Sequence, residues 1–151
     1  MKKQINKDEV AGRKLANGKF AERLFVEKLR EKGIWPDFID SWYDFDVQDI
    51  KIEVKSCSLM VKGGGISKQG IGRNRMGCFV FLKKNLEQMR KENVWVCFIA
   101  LYKKQYIMLG FVKAKELKLR KHLSLVNLRN YNLIDFDKWV EKYLQPLEKN
   151  V

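Results

Sequence analysis

The sequence predicts a single α/β domain, residues 1–151, with a mixed central sheet flanked by helices and a further helix near the C-terminus. Apolar residues recur at helical spacing in the N-terminal part, two later segments alternate apolar and polar residues, and a continuous apolar run follows them. The length of 151 residues is also that of one domain. We therefore expect one hydrophobic unit and no second domain.

The first predicted element is a helix that begins at a capping box near residue 6 and ends at Gly33, a typical residue after a helix C-terminus. Its second half places Phe25, Val26 and Leu29 on one stripe, and Glu22 lies on the same stripe. A carboxylate on the face that packs inward is costly unless it has a partner. Glu22 is therefore a candidate functional residue.

Two strands, Trp42–Val47 and Ile50–Cys57, are predicted to form a β-hairpin joined by a two-residue turn. Alternation divides the hairpin into an apolar face and a polar face, and the polar face consists of Asp44, Asp46, Lys51, Glu53 and Lys55. A hairpin that is symmetric about its turn places Asp44 opposite Glu53, with the Cβ atoms about 5 Å apart. Lys55 projects from the same face.

Two carboxylates that face each other at this distance repel, unless a cation lies between them or one of them takes a proton. With Glu22 leaning inward from the helix, the sequence predicts a site where three acids and a lysine converge. Such oxygen ligands suit Mg²⁺, with Mn²⁺ as a substitute, and a bound divalent ion can assist phosphodiester hydrolysis. The alternative is an amphipathic hairpin whose polar face lies in water.

Three aspartates compete for the position facing Glu53. Asp44 follows an aromatic residue and lies opposite Glu53 in the symmetric hairpin, so it is preferred. Asp46 shares the polar face, but its expected partner is Lys51, and a one-residue change in the turn would reopen that choice. Asp37, which follows a proline, is expected to precede the strand that faces Glu53.

The segment Ser58–Gly77 is predicted to be a glycine-rich basic loop, long for a compact domain. Its glycines lack the Gly-Lys-Ser/Thr pattern of a phosphate-binding P-loop, and we interpret them as a hinge that lets the loop close over DNA. The candidate DNA-binding residues, in this loop and in a later basic turn, are Lys62, Lys68, Gln69, Arg73, Asn74, Arg75, Lys103 and Lys104. An ordinary mobile loop is the alternative.

The remaining predicted elements are strands and helices that complete the domain. They are a short strand at Cys78–Leu82, an amphipathic helix at Lys83–Glu92, a central buried strand at Val94–Leu101, a returning strand at Tyr106–Val112, a basic stretch at Lys113–His122 and a terminal helix at Asp135–Leu144. Residues 113–151 are expected to form a C-terminal extension of the domain.

The formal net charge of +13 favours a polyanionic partner such as DNA. The excess is uneven, since Ser56–Leu86 contains six lysines and arginines and no acidic residue. A solvated basic surface without a partner is the alternative, although such surfaces usually mix both signs. RNA as the partner is not excluded by charge.

The three cysteines and the single histidine exclude an ordinary zinc site and a disulfide framework. We interpret the cysteines as small apolar core residues in a reducing compartment, and His122 as a surface residue. Neither a signal peptide nor an apolar run of membrane-spanning length is present in the sequence. We therefore expect a cytoplasmic protein without a membrane segment or an organic cofactor.

The chain resembles the PD-(D/E)xK nuclease superfamily in three segments, which are Phe20-Ala21-Glu22-Arg23-Leu24, Tyr43-Asp44-Phe45 and Ile52-Glu53-Val54-Lys55-Ser56. Their order and spacing are similar to those of archaeal Holliday-junction resolvases and small restriction or homing endonucleases. The resemblance covers about residues 10–112 and implies a restriction-endonuclease-like αβββαβ core. The Glu-x-Lys motif is unspecific by itself, and its context of helix acid, opposed strands and basic loop supports the resemblance.

The resemblance implies a role for each motif residue. Asp44, Glu53 and the Val54 backbone carbonyl would bind the metal ion, Lys55 would be the catalytic lysine, and Glu22 would support the ion directly or through water. The products would carry 5′-phosphate and 3′-hydroxyl ends. We therefore expect a Mg²⁺-dependent endodeoxyribonuclease that acts on duplex or branched DNA, either at specific sites or at junctions.

Paired cuts require two active sites, so a homodimer or a higher homo-oligomer is expected, with exposed aromatics and the terminal helix as the candidate interface. The alternative from another class is a DNA-binding protein without catalysis. The sequence does not choose between a junction resolvase, a restriction enzyme and a homing endonuclease.

Overall fold

A five-stranded mixed sheet with helices packed on both faces forms the centre of the protein, as the sequence predicted. A computed structural model describes residues 7–39, 41–61, 66–67, 70–71 and 75–145. In chain order the elements are α1 (Lys7–Glu31), β1 (Asp37–Phe38), β2 (Phe45–Val47), β3 (Ile50–Ser58), β4 (Met60–Val61), β5 (Ile66–Ser67), β6 (Gly70–Ile71), β7 (Arg75–Met76), β8 (Cys78–Val80), α2 (Lys83–Lys91), β9 (Trp95–Tyr102), β10 (Gln105–Lys113), a 3₁₀ turn (Ala114–Glu116), β11 (His122–Ser124), α3 (Leu125–Leu128) and α4 (Phe136–Tyr143).

The order of strands in the central sheet is β1-β2-β3-β9-β10. Strands β3 and β9 are parallel, and the other neighbours in this sheet are antiparallel. The predicted central buried strand is confirmed, because residues 95–100 of β9 are all buried. A strand covered on both faces must be apolar throughout, which explains the continuous apolar run in the sequence.

The protein has two hydrophobic cores, one on each face of the central sheet. The first core, between the sheet and helices α1 and α4, includes Phe25, Leu29, Ile52, Val54, Cys97, Phe111 and Trp139. The second core, between the sheet and the elements β8, α2 and β11, includes Phe79, Phe81, Leu86, Met89, Phe98, Val112 and Leu123. Because side chains alternate along β3, Val54 enters the first core while Glu53 and Lys55 face the second.

The hairpin of β2 and β3 has the predicted register. Its Cα pairs are Val47 with Ile50, Asp46 with Lys51 and Phe45 with Ile52. The turn residues Gln48 and Asp49 have φ angles of 47° and 67°, the left-handed conformation that a two-residue type I′ turn requires. The short turn therefore fixes which side chains of the hairpin share a face.

The predicted start of β2 at Trp42 was wrong, because the strand begins at Phe45. Residues 41–44 form a bend. The backbone N–H of Asp44 donates to the Ile52 carbonyl at 3.1 Å, and its carbonyl accepts from the N–H of Ile39 at 2.8 Å. Both backbone polar groups of Asp44 are therefore hydrogen-bonded, although Asp44 lies before the first residue of β2. Its side chain is consequently placed at the start of this strand.

The end of α1 is as predicted. The N–H of Ile34 donates to the carbonyl of Leu29, and the N–H of Gly33 donates to that of Arg30. Gly33 has a φ of 75°, a conformation that residues with a Cβ rarely adopt. The cap fixes the direction in which the chain leaves α1 towards the central sheet.

The segment predicted as a loop, Ser58–Gly77, contains short antiparallel pairs, β4 with β7 and β5 with β6. We call residues 59–77 the arm. A Cβ at Gly77 would overlap the Ser58 carbonyl oxygen, so a glycine is needed where the arm returns to the sheet. The prediction of an irregular loop was therefore wrong for the described residues of the arm, which form two pairs of short antiparallel strands.

The C-terminal extension packs onto the domain through its own strand, an element the sequence analysis did not predict. Strand β11 pairs with β8, and the N–H of Phe81 donates to the Lys121 carbonyl at 2.7 Å. Strands β8 and β11 form a separate two-stranded sheet, and β8 ends at Val80, earlier than predicted. The predicted core position of the cysteines is confirmed for Cys97 and wrong for Cys78, which lies on β8 and is exposed.

The terminal helix α4 is confirmed, with Asp135 as its N-cap and with Phe136, Trp139 and Val140 buried. The amphipathic helix predicted after β8 is confirmed as α2. Within the described part of the chain, none of the helices combines the length and the apolar character needed to cross a membrane.

Candidate active site

Three carboxylates converge where the bend before β2 meets the middle of β3. The Asp44 side chain accepts a hydrogen bond from the backbone N–H of Val54 through its Oδ2 at 2.8 Å. The Asp44 carboxylate also interacts with both Glu22 and Glu53 by charge and by a side-chain hydrogen bond. Asp44 is thus a common neighbour of Glu22 on α1 and Glu53 on β3.

Glu53 is the buried charged residue of the described chain, with 9 % of its surface exposed. Burial first and the charge of Asp44 second raise the pKa of its carboxyl to about 9, and the charge of Lys55 opposes this rise. The pKa of Glu22 is raised to about 7 by burial first and by Asp44 second. Without a cation, therefore, Glu53 carries a proton at neutral pH.

Lys55 lies beside Glu53 in a defined position. Its Nζ is 3.9 Å from Glu53 Oε1 and 5.1 Å from the centroid of the Phe81 ring. Its side chain is only 25 % exposed. The aromatic ring supports the lysine by packing and by a cation–π contact, so the ammonium group stays at the carboxylate cluster.

The two rival aspartates lie elsewhere. Asp46 accepts a hydrogen bond from the Tyr43 hydroxyl at 3.1 Å. Asp37 pairs with Asp46 in the β1–β2 ladder, so strand β2 separates it from Glu53. The structure brings Asp44, rather than either rival, to Glu53.

Among the described residues, no group of three or more histidine, cysteine, aspartate or glutamate side chains has the geometry of a preassembled metal site. The chemistry of the cluster nevertheless fits a hard divalent cation. Carboxylate oxygens are the ligands that Mg²⁺ prefers, and an ion between Asp44 and Glu53 would replace the proton that Glu53 otherwise needs. Glu22, Asp44 and Glu53 are the side chains that could hold such an ion.

The raised pKa of Glu53 has a consequence for stability that does not depend on any activity. A carboxyl whose pKa rises on folding keeps its proton in the native state after the unfolded state has released it, so the free energy of unfolding falls as the pH rises from about 5 to 9. We expect Glu53→Gln, which mimics the protonated acid, to match the wild type near pH 5. At pH 9 it should be more stable by on the order of 2 kcal/mol.

The measurement is urea unfolding in EDTA at several pH values, with Glu92→Gln as the matched control. Glu92 is an exposed acid that pairs with Lys51 at 2.8 Å on the same side of the sheet. Its replacement should change stability by under about 1 kcal/mol at every pH. A difference between wild type and Glu53→Gln that does not grow with pH would contradict the assigned protonation.

The predicted DNA-binding residues fall into two groups. Lys103 and Lys104 are exposed in the β9–β10 turn, with φ angles of 45° and 64°. The backbone N–H of Leu59 donates to the Leu101 carbonyl at 2.7 Å, so this turn and the root of the arm are neighbours at the same end of the sheet.

The second group lies in the arm. Arg75 belongs to β7, and the predicted residues Lys62, Lys68, Gln69, Arg73 and Asn74 lie outside the described residues.

Sequence reasoning did not identify Phe81 as a site residue. Nothing in the Glu-x-Lys motif indicates which aromatic ring supports the lysine. The contact depends on the pairing of β8 with the unpredicted strand β11, which fixes where the chain after β8 packs. A phenylalanine in a short apolar strand is otherwise indistinguishable from an ordinary core residue.

A comparison of the chain with protein-family models, with curated proteins and with solved structures finds no match.

Proposed function

We propose that this protein is a metal-dependent DNA endonuclease with a PD-(D/E)xK-type active site in a restriction-endonuclease-like domain. The observation that carries the proposal is the buried Glu53, which shares a hydrogen bond with Asp44 and lies 3.9 Å from the ammonium group of Lys55. A buried carboxylate pair is costly to fold, and a cation-binding role accounts for it. In the alternative, a hairpin whose polar face lies in water, Glu53 would be exposed and would not be buried beside Asp44.

In this proposal the residues divide the work. Asp44, Glu53 and the Val54 backbone carbonyl hold a Mg²⁺ ion, for which Mn²⁺ can substitute, and Glu22 binds it directly or through water. Mg²⁺, when bound, neutralises charge on the phosphate and acidifies a water molecule. Lys55 orients the attacking water and offsets the charge that develops on the phosphate. The products carry 5′-phosphate and 3′-hydroxyl ends.

The DNA lies, in the same proposal, against the basic arm and the Lys103-Lys104 turn. The root of the arm and this turn are neighbours at one end of the sheet, and Lys55 lies three residues before the strand end at Ser58. The net charge of +13 supports tight, salt-dependent binding to phosphates. The duplex would then run from the carboxylate cluster towards the arm.

A homodimer would supply the two active sites that paired cuts need. The apolar side of α4, which contains Trp139, is buried in the first core, so it is not available to a second copy. Four aromatic side chains of the described residues are exposed, and the two most exposed, Trp35 at 63 % and Phe38 at 65 %, remain the candidate interface.

The test is cleavage of a supercoiled plasmid and of a four-way junction in Mg²⁺, in Mn²⁺ and in EDTA. We expect cutting with either ion and none in EDTA. Asp44→Asn should lower the cleavage rate at least about a hundredfold, because it removes a ligand that both glutamates contact. Asp46→Asn is the matched control and should cut like the wild type, since Asp46 contacts Tyr43 instead.

Binding of DNA without cutting under any metal would overturn the proposal and favour a DNA-binding protein without catalysis. Cutting by Asp44→Asn at the wild-type rate would overturn the assigned site. Competition with single-stranded DNA and RNA distinguishes the nucleic acid, and end-mapping distinguishes symmetric cuts about a crossover from cuts at a recurring sequence.

A further inference from the structure

A cleft with a volume of about 470 Å³ lies next to the proposed active site. Phe81, whose ring is 5.1 Å from Lys55 Nζ, also lines this cleft. Phe81 itself is 1 % exposed, so it contributes a nearly buried part of the lining. The cleft and the proposed catalytic lysine therefore share one aromatic neighbour.

The wall of the cleft is fixed by the strand pairing of the C-terminal extension. Leu123 of β11 pairs with Phe79 of β8, and the Phe81 N–H donates to the Lys121 carbonyl. These bonds hold the basic segment 118–122 against the end of β8. The position of this segment relative to Lys55 is therefore set by backbone hydrogen bonds and not by flexible side chains.

The lining of the cleft has the chemistry of an anion site. Lys118, Arg120 and His122 line it, and Glu116 is the acidic residue among the lining residues. None of these four residues is paired in the salt bridges of the described chain. Arginine and lysine at the mouth of a cleft bind phosphate groups, and arginine does so with two parallel hydrogen bonds.

The other wall offers groups that suit a nucleobase. Asn127, Asn130 and Tyr131 line it, and the Tyr131 hydroxyl accepts a hydrogen bond from the Lys118 N–H at 3.1 Å. Side-chain amides pair with the polar edges of bases, and an aromatic ring offers a surface for stacking. Phosphate-binding and base-binding groups thus line the same cleft.

The size of the cleft decides what can enter it. Its volume lies within the range of about 300–1,000 Å³ that is typical of sites for single small molecules. A base pair inside a double helix is too large and remains stacked between its neighbours. A nucleotide that enters such a site must first leave the stack, and this is cheapest when it is already unpaired.

We propose that this cleft binds one unpaired nucleotide of the DNA substrate, with Arg120 on its phosphate and the asparagine amides on its base. This inference rests on the proposed function, which it narrows to DNA that carries an unpaired or displaced nucleotide close to the cut. The cleft and Lys55 share Phe81 as a neighbour, and the inference therefore places the bound nucleotide on the side of the active site that Phe81 occupies.

The experiment compares the affinity of the wild type for two labelled DNAs in EDTA by fluorescence anisotropy. One DNA is a perfect duplex, and the other is the same duplex with a short single-stranded flap. We expect the wild type to bind the flapped DNA roughly tenfold more tightly, because base stacking and the phosphate contact are both gained. Equal affinity for the two DNAs would overturn the proposal.

Two neighbouring substitutions that remove the same charge separate the cleft from general electrostatics. Arg120→Ala should abolish the preference for the flapped DNA, whereas Lys121→Ala should keep it, because Lys121 does not line the cleft. Arg120→Ala should also lower the slope of log affinity against log salt for the flapped DNA by about one. A preference that survives in Arg120→Ala, or that disappears equally in Lys121→Ala, would overturn the proposal.

A third variant is expected to strengthen the binding of the flapped DNA, whereas Arg120→Ala weakens it. Glu116→Gln removes the acidic residue from the cleft and should strengthen binding of the flapped DNA roughly threefold, with little change for the duplex. Weaker binding by this variant would contradict the proposed phosphate position. Cutting in Mg²⁺ is measured separately, so a flap preference without cutting overturns only the nuclease proposal, and cutting without a flap preference overturns only the cleft.

Discussion

Replacement of Lys55 by alanine is expected to lower the rate of Mg²⁺-dependent DNA cleavage at least about a hundredfold at saturating metal, while DNA binding changes little. The ammonium group lies beside the carboxylate cluster and is held by Phe81. In the proposed mechanism it acts on the water and on the charge that develops at the phosphate. An interaction made mainly in the transition state affects the chemical step more than ground-state binding.

Saturating metal is needed in this experiment because Lys55 also opposes the rise in the pKa of Glu53. Loss of the lysine should therefore weaken metal binding as a second effect, which excess Mg²⁺ removes. The rate is measured under single-turnover conditions on a labelled duplex or junction, so that product release does not hide the chemistry.

The matched control is Lys51→Ala, on the same strand and the same face. Lys51 pairs with Glu92 at 2.8 Å, and an exposed pair of this kind contributes under about 1 kcal/mol. We expect this variant to cut at the wild-type rate within about twofold. Equal losses in Lys51→Ala and Lys55→Ala would mean that both act by attracting DNA, and a fully active Lys55→Ala would remove the lysine from the mechanism.

The parts of the fold that local patterns determine were predictable from the sequence. The helical period of α1 and the alternation of β3 each reflect the burial of one stripe or face, and the apolar run of β9 reflects burial on both faces. The end of α1 reflects the backbone conformation that Gly33 adopts. The register of the hairpin followed from a two-residue turn, since a symmetric hairpin leaves one pairing. In these elements the structure that the local sequence pattern favours is also the one that tertiary packing stabilises.

The parts that depend on distant pairing were not predictable. The pairing of β8 with β11 joins segments about forty residues apart, and no local pattern in residues 122–124 marks a strand. The arm is similar, because two-residue strands leave no alternation to detect. The pairing of β8 with β11 positions Phe81 and residues that line the cleft, so these surroundings of the site were missing from the sequence interpretation.

The candidate site itself was predicted in its residues and only partly in its geometry. Asp44 was expected directly across a regular ladder from Glu53, whereas it lies in the bend before β2. Its side chain reaches the N–H of Val54 because it is free of the strand. The convergence of the acids therefore arises from the departure of Asp44 from ideal strand geometry, which alternation cannot indicate.

The affinity of the metal-free protein for Mg²⁺ is expected to rise up to about tenfold per pH unit between pH 7 and 9 and to level off above it. The physical reason is competition between the ion and a proton. Burial and the charge of Asp44 raise the pKa of Glu53 to about 9, so below this pH an ion that binds the ionised carboxylate must displace the proton. Below pH 7 the dependence should steepen, because the pKa of Glu22 is raised to about 7.

Calorimetric titration of Mg²⁺ in two buffers of different ionisation enthalpy measures this exchange directly, because the released proton adds the heat of buffer protonation. We expect about one proton released per ion at pH 8 in the wild type and in Asp46→Asn, whose carboxylate lies outside the cluster. Glu53→Gln should release none at that pH and bind more weakly. An affinity that stays constant from pH 7 to 9 would show that Glu53 does not ionise to bind the ion, and the cluster would then be a protonated structural pair.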